Sequence, residues 1–464
     1  MPLGLPTEET IAAIATAISA GQGGVAVIRI SGPDALAVGQ SIVSTPTKQN
    51  WKSHTVLYGH VMNEQSNEHL DEVLVLIMKK PRSFTGEDVI EIHCHGGLIA
   101  VQQVLERVLS HPHVRRAMPG EFSQRAVLNG RMSLTQAEAI SDLIAARSRR
   151  AAKLAMAGID GGIQKHINCL RENLLDQLSE LEARVDFEDE LPPLNAAEVL
   201  NEILKVQQKL QVLIQDAKQA SYLHQGLRVA LIGCPNVGKS SLLNRLSKRE
   251  RAIVTDIPGT TRDLLESEIL LKDVPITLLD TAGIRTTNDE IEKIGIAKTH
   301  EALISADVVI LVFDLSLGWT NEDHALLNSI PKDVPFLIIG NKADIQNHST
   351  PFTSDSPPPE AKAQIRFSAL TGEGEEGLIS GLFKICGAHE TQGIKLALNH
   401  RQSDLAAAAS TALERTKEVA AQKLPWDFWT IDLREAIQSL GEITGDEITE
   451  DLLDRIFSKF CIGK

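Results

Sequence analysis

Cysteine is sparse in this sequence of 464 residues, which has five, widely spaced and without a Cys-x-x-Cys pair. That usage argues against a disulfide framework or a zinc site and fits a reducing cytoplasm. Long apolar runs are lacking too, since none approaches the roughly 20 residues that span a bilayer. The N-terminus has no basic start of the kind that opens a signal peptide. We therefore expect neither export nor membrane insertion, and a cytoplasmic protein.

Positive charge is in deficit, because 46 Lys and Arg are outnumbered by 61 Asp and Glu, for a formal net charge of -15. Such a surface repels phosphate backbones, so the chain does not look like a free-standing nucleic-acid binder. Binding RNA would require a local patch of positive charge or a partner protein. The 43% hydrophobic and 23% charged residues are typical of a folded globular protein. The length predicts roughly three domains.

The pattern of apolar residues divides the chain into three predicted domains. Residues 1–128 mix short β-rich runs with helical stretches, as in a compact α+β domain. Residues 129–223 and 388–464 predict one discontinuous helical domain. Residues 224–387 alternate buried strands with helices, which indicates a doubly wound sheet. The fold class is multidomain α/β plus α, with the sheet domain inserted into the helical one. The helical spacing is carried by Leu134, Ala137, Ile140, Ile144, Leu174, Leu178, Leu181, Val185, Ile448, Leu452, Ile456 and Phe460.

The segment GCPNVGKSS follows a predicted strand and opens a predicted helix, the context in which Gly-x4-Gly-Lys-Ser indicates a phosphate-binding loop. Gly233 and Gly238 let the backbone approach the phosphates. Lys239 supplies positive charge to the β- and γ-phosphates, and Ser240 offers its hydroxyl to Mg2+. A chance glycine turn is the bland alternative, which the further motifs disfavour. The predicted nucleotide contacts here are Asn236, Val237, Gly238, Lys239, Ser240 and Ser241.

Three later motifs point to a guanine nucleotide. Asp280 ends ITLLD and begins DTAG, where its carboxylate can hold Mg2+ through water and the Gly283 amide can bind the γ-phosphate. In NKAD, Asn341 can read the Hoogsteen edge, and Asp344 can accept hydrogen bonds from the ring N–H and exocyclic amine of guanine, a donor pair that adenine lacks. Either NKAD or FSAL alone is weak, but four elements in order predict a GTP-hydrolysing enzyme. Ser368 and Ala369 complete the base pocket through backbone amides to the guanine carbonyl oxygen, and Lys342 is a further predicted GTP contact.

The water-orienting residue of Ras-type GTPases has no counterpart in this sequence. Ile284 stands where they place Gln, directly after the DTAG glycine. Another arrangement must position the attacking water. Arg262 and Arg285 are candidates for an arginine finger or else solvated surface charges, and the sequence does not decide between these roles.

Together, GCPNVGKSSLLN, TDIPGTTRD, DTAGIR, NKAD and the terminal CIGK resemble the MnmE/TrmE family of tRNA-modification GTPases over essentially the whole chain. The resemblance implies a Ras-like G domain in which K+ replaces an arginine finger and stabilises charge in the transition state. It also implies that Glu292 is catalytic and orients the attacking water through a bridging water. Without the family, Glu292 would be read as an exposed helix carboxylate. The implied metal ligands are Asn236, Thr255, Ile257 and Thr260 for K+ and Ser240 and Thr261 for Mg2+.

The resemblance further implies that residues 1–128 form a tetrahydrofolate-binding and dimerisation domain, related in fold to folate-dependent aminomethyltransferases. Arg29, Glu91, Arg131 and Lys464 fall on matching folate-contact positions. Arg131 stands where some members have Lys, which keeps the charge but changes the donor geometry. The expected cofactor is 5-formyl- or methylene-tetrahydrofolate. From the residues alone, Arg29 and Glu91 are strand residues that face water or form salt bridges.

Two motifs that contain cysteine, HCHGG and CIGK, invite other interpretations. His93 and His95 flank only one Cys, so a metal site is not favoured there. Gly463 and Lys464 match a prenylation box poorly, and lipidation is not expected. The resemblance makes Cys461 a catalytic residue near the folate site, as a nucleophile or acid/base in uridine modification. The alternative is a small tail residue that covers a helix end.

The whole-chain resemblance implies a homodimeric GTPase that works with the MnmG flavoprotein, which carries the FAD. Together they would install an aminomethyl or carboxymethylaminomethyl group on carbon five of the wobble uridine in certain tRNAs. Two alternatives remain at this stage. One is an Era-like ribosome-assembly GTPase, against which the folate positions and CIGK argue. The other is a non-catalytic folate-binding protein that senses GTP without turning it over.

Overall fold

The computed structural model describes residues 9–18, 23–47, 49–64, 66, 68–186, 194–249, 265–280, 302–345, 363–386, 394–447 and 449–463. The fold is mixed α/β, with one seven-stranded and one six-stranded sheet in the described part of the chain. The chain forms two compact units. Unit 1 comprises the described residues of Met1–Ser141, Ile159–Pro193 and Val419–Lys464, and unit 2 those of Asp142–Gly158 and Leu194–Glu418. The domain boundaries given above stay a prediction.

The sheet of unit 1 runs in the order β3-β4-β5-β6-β2-β1-β7. Its pairs are antiparallel apart from β1 with β7. Side chains alternate between buried and exposed along β4, so one face of the sheet is covered and the other is open. The strands are β1 (Thr10–Ile14), β2 (Val25–Ser31), β3 (Val43–Ser44), β4 (Thr55–Met62), β5 (His69–Met78), β6 (Val89–His95) and β7 (Val114–Arg116).

Helices α1 (Ala35–Ile42) and α2 (Leu98–Leu109) cover the buried face of this sheet. Both helices bury residues at three- and four-residue spacing, as an amphipathic helix on a sheet requires. A smaller apolar cluster joins Leu134 and Ala137 to Leu453, Ile456 and Phe457. The other helices with residues in unit 1 are α3 (Glu121–Leu128), α4 (Leu134–Ala145), α5 (Arg149–Ile159), α6 (Gly162–Asp186), α11 (His400–Ala421), α12 (Trp426–Thr444) and α13 (Glu450–Phe457).

The sheet of unit 2 runs in the order β13-β12-β11-β8-β10-β9. All its pairs are parallel except β9 with β10. Every residue of β11 is buried, as expected for a central parallel strand covered on both faces. Parallel strands end at a common edge, so the carboxyl ends of β8, β10, β11 and β12 lie together there. The strands are β8 (Leu227–Ile232), β9 (Leu265–Leu271), β10 (Val274–Asp280), β11 (Val308–Asp314), β12 (Phe336–Asn341) and β13 (Ala363–Arg366).

Apolar clusters lie on both faces of this second sheet, around Leu231 and Ile339 on one face and Phe313 and Ile338 on the other. The alternation of side chains along each strand produces this two-sided core. Within the described ranges, no helix combines the length and apolar character that a bilayer crossing needs. The remaining helices of unit 2 are α7 (Ala196–Gln225), α8 (Lys239–Arg249), α9 (Asn321–Asn328) and α10 (Glu375–Cys386).

Candidate functional site

The loop between β8 and α8 has the backbone geometry of a phosphate cradle. Gly233 and Gly238 adopt φ of 155° and 100°, and Asn236 adopts 63°. A Cβ at Gly233 would overlap the Val312 carbonyl, and one at Gly238 would overlap the Asn341 side-chain amide. Glycine is therefore required at both positions for conformation and for space. The loop opens onto the N-terminus of α8, where the helix dipole favours an anion.

Lys239 begins α8 and turns its ammonium back over this loop. Its Nζ donates to the carbonyls of Gly233 at 2.6 Å and Cys234 at 2.8 Å. Ser240 and Ser241 follow in the first turn of α8 and are exposed. The first turn of α8 has no acidic residue that would oppose a phosphate. The predicted phosphate contacts in the loop are thus brought together at one helix N-terminus.

Asp280 is the last residue of β10 and lies in register with Leu231 of β8. The backbone therefore places Asp280 at the sheet edge from which the phosphate loop emerges, as the sequence predicts for a residue near Mg2+. Six further predicted site residues of unit 2 lie outside the described residues, so their assignments stay predictions. They are Thr255, Ile257, Thr260, Thr261, Gly283 and Glu292.

Asn341 joins the phosphate loop to the predicted base loop. Its side chain lies at the end of β12 and is 2% exposed. The Nδ2 atom donates to the Val237 carbonyl at 2.8 Å, and Oδ1 accepts from the Ala369 amide at 3.1 Å. Ser368 donates its hydroxyl to Asp344 Oδ1 at 2.5 Å. Asn341, Asp344, Ser368 and Ala369 are separated by up to 28 residues in sequence and meet in one place.

Asp314 belongs to the same site, although sequence reasoning did not single it out. Lys342, at φ 66°, donates its ammonium to Asp314 Oδ2 at 2.5 Å, and the Ser316 hydroxyl and amide donate to Oδ1. Burial opposes the charged form, but the hydrogen bonds from Lys342 and Ser316 outweigh it and lower the pKa of Asp314 below its ordinary value. The signal that could have found it is an acidic residue that directly ends a continuous apolar run, VVILVF.

Cys234 lies in the phosphate loop, but its thiol is not activated as a nucleophile. Its thiol donates to Asp323 Oδ1 at 3.4 Å. Burial, reinforced by this hydrogen bond and by the charge of Asp323, raises the pKa of Cys234 to about 12. A thiol with that pKa stays protonated near neutral pH and is a poor nucleophile. The residue is therefore a packing and hydrogen-bonding element of the loop.

The predicted folate positions in unit 1 centre on a largely buried ion pair. Arg29 of β2 lies opposite Glu91 of β6 in register, and its Nε donates to Glu91 Oε1 at 2.8 Å. Its Nη1 donates to the Gly463 carbonyl at 3.3 Å. The Arg29 guanidinium carbon lies 5.0 Å from the ring centroid of Phe84 and 5.6 Å from that of Phe122. Charge, aromatic surface and the end of the described chain meet at this point.

Phe122 is buried in an apolar cluster with Ile11, Ala13 and Ala117, and its neighbour Glu121 forms ion pairs at the start of α3. Arg115 donates two hydrogen bonds to this carboxylate, at 2.6 and 2.8 Å, and Arg125 donates one at 3.0 Å. Burial alone would raise the pKa of Glu121, but the hydrogen bonds from Arg115 and Met118 and the charge of Arg125 lower it. The start of α3, and with it the aromatic wall beside Arg29, is thereby fixed.

Three other residues are predicted for the folate site, namely Arg131, Cys461 and Lys464. Arg131 Nε donates to the Ser83 carbonyl at 3.2 Å, which ties it to the segment that carries Phe84. Cys461 is exposed, and its carbonyl accepts from the Gly120 amide at 3.3 Å. Lys464 lies outside the described residues. Across the part of the chain that the structure describes, no group of three or more His, Cys, Asp or Glu is arranged to hold a metal ion.

A Gly-Lys-Ser phosphate loop after a parallel strand, with Asp280 at the neighbouring strand end and the Asn341–Asp344–Ala369 cluster beside it, defines a P-loop GTPase. A family model described as "MnmE helical domain" matches residues 134–461, and one described as "GTP-binding protein TrmE N-terminus" matches residues 10–131. The chain therefore belongs to the MnmE family of tRNA modification GTPases, and it is a GTP hydrolase. The resemblance carried by the sequence motifs is confirmed.

Relatives of similar length support the same assignment. A protein of Prochlorococcus marinus strain MIT 9303, named tRNA modification GTPase MnmE, is 68% identical over 99% of both chains. A protein of Synechococcus sp. strain CC9902 with the same name is 63% identical over 99% of this chain and 100% of that one. The assignment does not rest on solved structures, among which a variant of Era from Aquifex aeolicus is 25% identical over 40% of this chain and 66% of that chain, with a TM-score of 0.29.

Proposed function

We propose that this chain is a potassium-dependent GTP hydrolase that acts with an FAD-dependent MnmG partner on the wobble uridine of tRNAs. The product would be 5-carboxymethylaminomethyl or aminomethyl uridine. The observation that carries the proposal is the 68% identity, over 99% of both chains, to a protein named tRNA modification GTPase MnmE. This full-length similarity favours the proposed function over a ribosome-assembly GTPase or a non-catalytic folate switch.

The residues around the phosphate loop suit Mg2+ and a triphosphate. Mg2+ prefers hard oxygen ligands, which Ser240 and, outside the described residues, Thr261 would supply, with Asp280 acting through water. Lys239 is already aimed at the loop and would neutralise the β- and γ-phosphates. Asn341 and Asp344 would select guanine. When bound, Mg2+ supplies positive charge to the phosphate oxygens.

Potassium binding is proposed on the strength of the family and of one described residue. Asn236 is exposed in the phosphate loop at φ 63°, where its side-chain oxygen is available to a cation. Thr255, Ile257 and Thr260 would supply the remaining oxygens. A monovalent cation beside the β- and γ-phosphates supplies the charge that an arginine finger supplies elsewhere. Glu292 would hold the attacking water in line through a second water.

The Arg29–Glu91 pair fits a reduced folate. A pterin ring presents N–H donors and a carbonyl oxygen, for which Glu91 offers acceptors and Arg29 offers donors next to the rings of Phe84 and Phe122. Arg131 and Lys464 would complete the contacts. The bound 5-formyl or methylene form supplies a one-carbon unit, while FAD on the partner handles the redox step. Cys461 would act as a nucleophile or as an acid/base.

A homodimer in the cytoplasm is part of this proposal. The net charge of -15 makes unaided tRNA binding by the general surface unfavourable. We therefore assign tRNA recognition to a local patch or to the complex with the MnmG flavoprotein. Turnover of GTP would drive opening and closing of paired G domains and would not itself modify the base.

Deletion of this chain is expected to remove the aminomethyl-type modification from wobble uridines. The measurement is nucleoside mass spectrometry of purified tRNA from cells with and without the chain. Re-expression of the natural sequence should restore the modification, whereas a chain with Lys239→Ala should not, because its phosphate loop lacks the ammonium. Wild-type levels of modified uridine in the deletion strain would refute the proposed function.

Replacing K+ by Na+ at equal ionic strength is expected to slow GTP turnover by at least about tenfold, because the smaller ion does not span the same set of oxygens. Phosphate release under saturating GTP measures the rate. Binding of GDP, measured in both salts, serves as the control and should change little. Equal turnover in the two salts would exclude the potassium mechanism while leaving the tRNA assignment open.

A further inference from the structure

Arg245 links the helix of the phosphate loop to the loop that follows β13. It lies on α8, the helix that Lys239 begins. Its Nη1 donates to the carbonyls of Leu370 at 3.0 Å and Ala369 at 3.4 Å, and its Nη2 donates to that of Thr371 at 3.2 Å. Three successive carbonyls thus converge on a single guanidinium. Glu375 completes the arrangement, because its buried Oε2 accepts from Nε at 3.0 Å.

The loop is shaped to receive this guanidinium. Gly372 adopts φ 89°, and a Cβ there would overlap the Arg245 guanidinium. Gly374 adopts φ 83°, and a Cβ there would overlap the Arg366 carbonyl. The loop also closes on itself through the Ser368 amide, which donates to the Glu373 carbonyl at 3.0 Å. Two glycines and an internal hydrogen bond therefore hold the carbonyls of the loop on one side, where Arg245 binds them.

The same loop carries the residues assigned to the guanine. The Ala369 amide faces Asn341, while its carbonyl faces Arg245. Ser368 donates to Asp344. Arg245 therefore binds the carbonyls of the same peptide segment whose Ala369 amide is assigned to the guanine. Because the arginine is charged and its hydrogen bonds are charge-assisted, they are stronger than those between neutral groups.

We propose that Arg245 is a positioning residue that holds the guanine-binding loop in its binding conformation and thereby sets nucleotide affinity and residence time. Its side chain is hydrogen-bonded to the carbonyls of residues 369–371 and to Glu375, on the base side of the site. Its loss would leave the loop carbonyls without their common donor and would let the Ala369 amide move away from the guanine carbonyl oxygen. The site would then retain its phosphate contacts but lose part of its hold on the base.

The test is Arg245→Ala in the full-length protein. We expect GDP to dissociate about tenfold faster and to bind correspondingly more weakly, as for the loss of a set of hydrogen bonds. The kcat at saturating GTP should stay within about twofold, because no group at the reacting phosphate changes. Fluorescent GDP release and a KM-against-kcat comparison measure these effects. The ratio of variant to wild-type release rates should be close to one for 2-aminopurine riboside diphosphate, which lacks the carbonyl oxygen that the Ala369 amide is assigned to bind. This base also lacks the ring N–H assigned to Asp344, but that loss is the same in both proteins and cancels in the ratio.

Three variants separate positioning from general stability. Arg245→Lys should restore part of the residence time, since a lysine ammonium can reach one or two of the carbonyls. Glu375→Gln keeps the shape but removes the charge that holds the guanidinium, and it should speed release in the same direction by a smaller factor. Arg147→Ala breaks an exposed ion pair with Glu268 in the same unit and should leave release unchanged. Unchanged GDP release in Arg245→Ala and Glu375→Gln, or equal losses for the two nucleotides, would overturn the proposal.

Discussion

Asp344→Asn is expected to convert the base preference of the site from GTP to xanthosine triphosphate. In the proposed site, the carboxylate would accept two hydrogen bonds from guanine, at the ring N–H and the exocyclic amine. An amide at this position can still accept one hydrogen bond through its oxygen. Its NH2 group then faces the exocyclic amine of guanine, and no hydrogen bond forms because both groups are donors. Xanthine carries an oxygen in place of that amine and accepts the new donor. GTP affinity should fall by at least about 100-fold, since a mispaired polar group is costly in a site built on hydrogen bonds.

The measurement is the ratio of Kd values for GTP and xanthosine triphosphate in the wild type and the variant. Ser368→Ala is the matched control, because it removes the hydroxyl that donates to Asp344 but keeps the carboxylate. It should weaken GTP binding by no more than about tenfold and should not change which base is preferred. If Asp344→Asn keeps its selectivity for guanine, Asp344 does not read the base.

Much of unit 2 could be predicted from sequence because its signals are local. The run DVVILVFD is continuously apolar and becomes the buried strand Val308–Asp314, and ITLLD forms the end of Val274–Asp280. The phosphate loop is recognisable because strand, glycines, lysine and helix are consecutive. A motif of this type fixes both the conformation and the chemistry. The fold of the nucleotide site follows directly from it.

What the sequence could not predict depends on pairing between distant segments. Arg29 and the Gly463 carbonyl are 434 residues apart, and their hydrogen bond depends on where the chain end packs. Gly463 itself adopts φ 91° with no room for a Cβ beside Ile14. Arg245 gives no local signal, because its partners follow it by more than 120 residues. Such contacts become visible only once strand order and loop positions are known.

Helical periodicity also overstated how much of each helix is buried. Leu174, Leu178 and Leu181 are buried as the spacing predicts. Val185 and Ile144 follow the same spacing, yet they are 44% and 45% exposed near the ends of their helices. The final helix ends at Phe457, although the four-residue spacing continues to Phe460. The spacing of apolar residues alone does not show where along a helix its contacts with neighbouring elements end.

Arg29→Ala is expected to abolish wobble-uridine modification while leaving GTP hydrolysis by the isolated chain within about twofold of the wild type. The described nucleotide-site residues all belong to unit 2, whereas Arg29 contacts Glu91, Gly463 and two aromatic rings in unit 1. Loss of the guanidinium removes the donor proposed for the folate. Complementation of a deletion strain followed by tRNA nucleoside analysis measures the first effect, and phosphate release measures the second.

The same substitution carries a cost in stability that must be separated from its effect on modification. Glu91 would remain largely buried without its partner, which is expected to lower the free energy of unfolding by roughly 1–3 kcal/mol. Adding Glu91→Gln to Arg29→Ala should recover much of that loss, because the unpaired charge is gone, but should not restore modification. Arg116→Ala, on the exposed edge strand of the same sheet, should change neither quantity. Normal modification by the Arg29→Ala chain would remove Arg29 from the folate site, since the ion pair would then serve only to join β2 to β6.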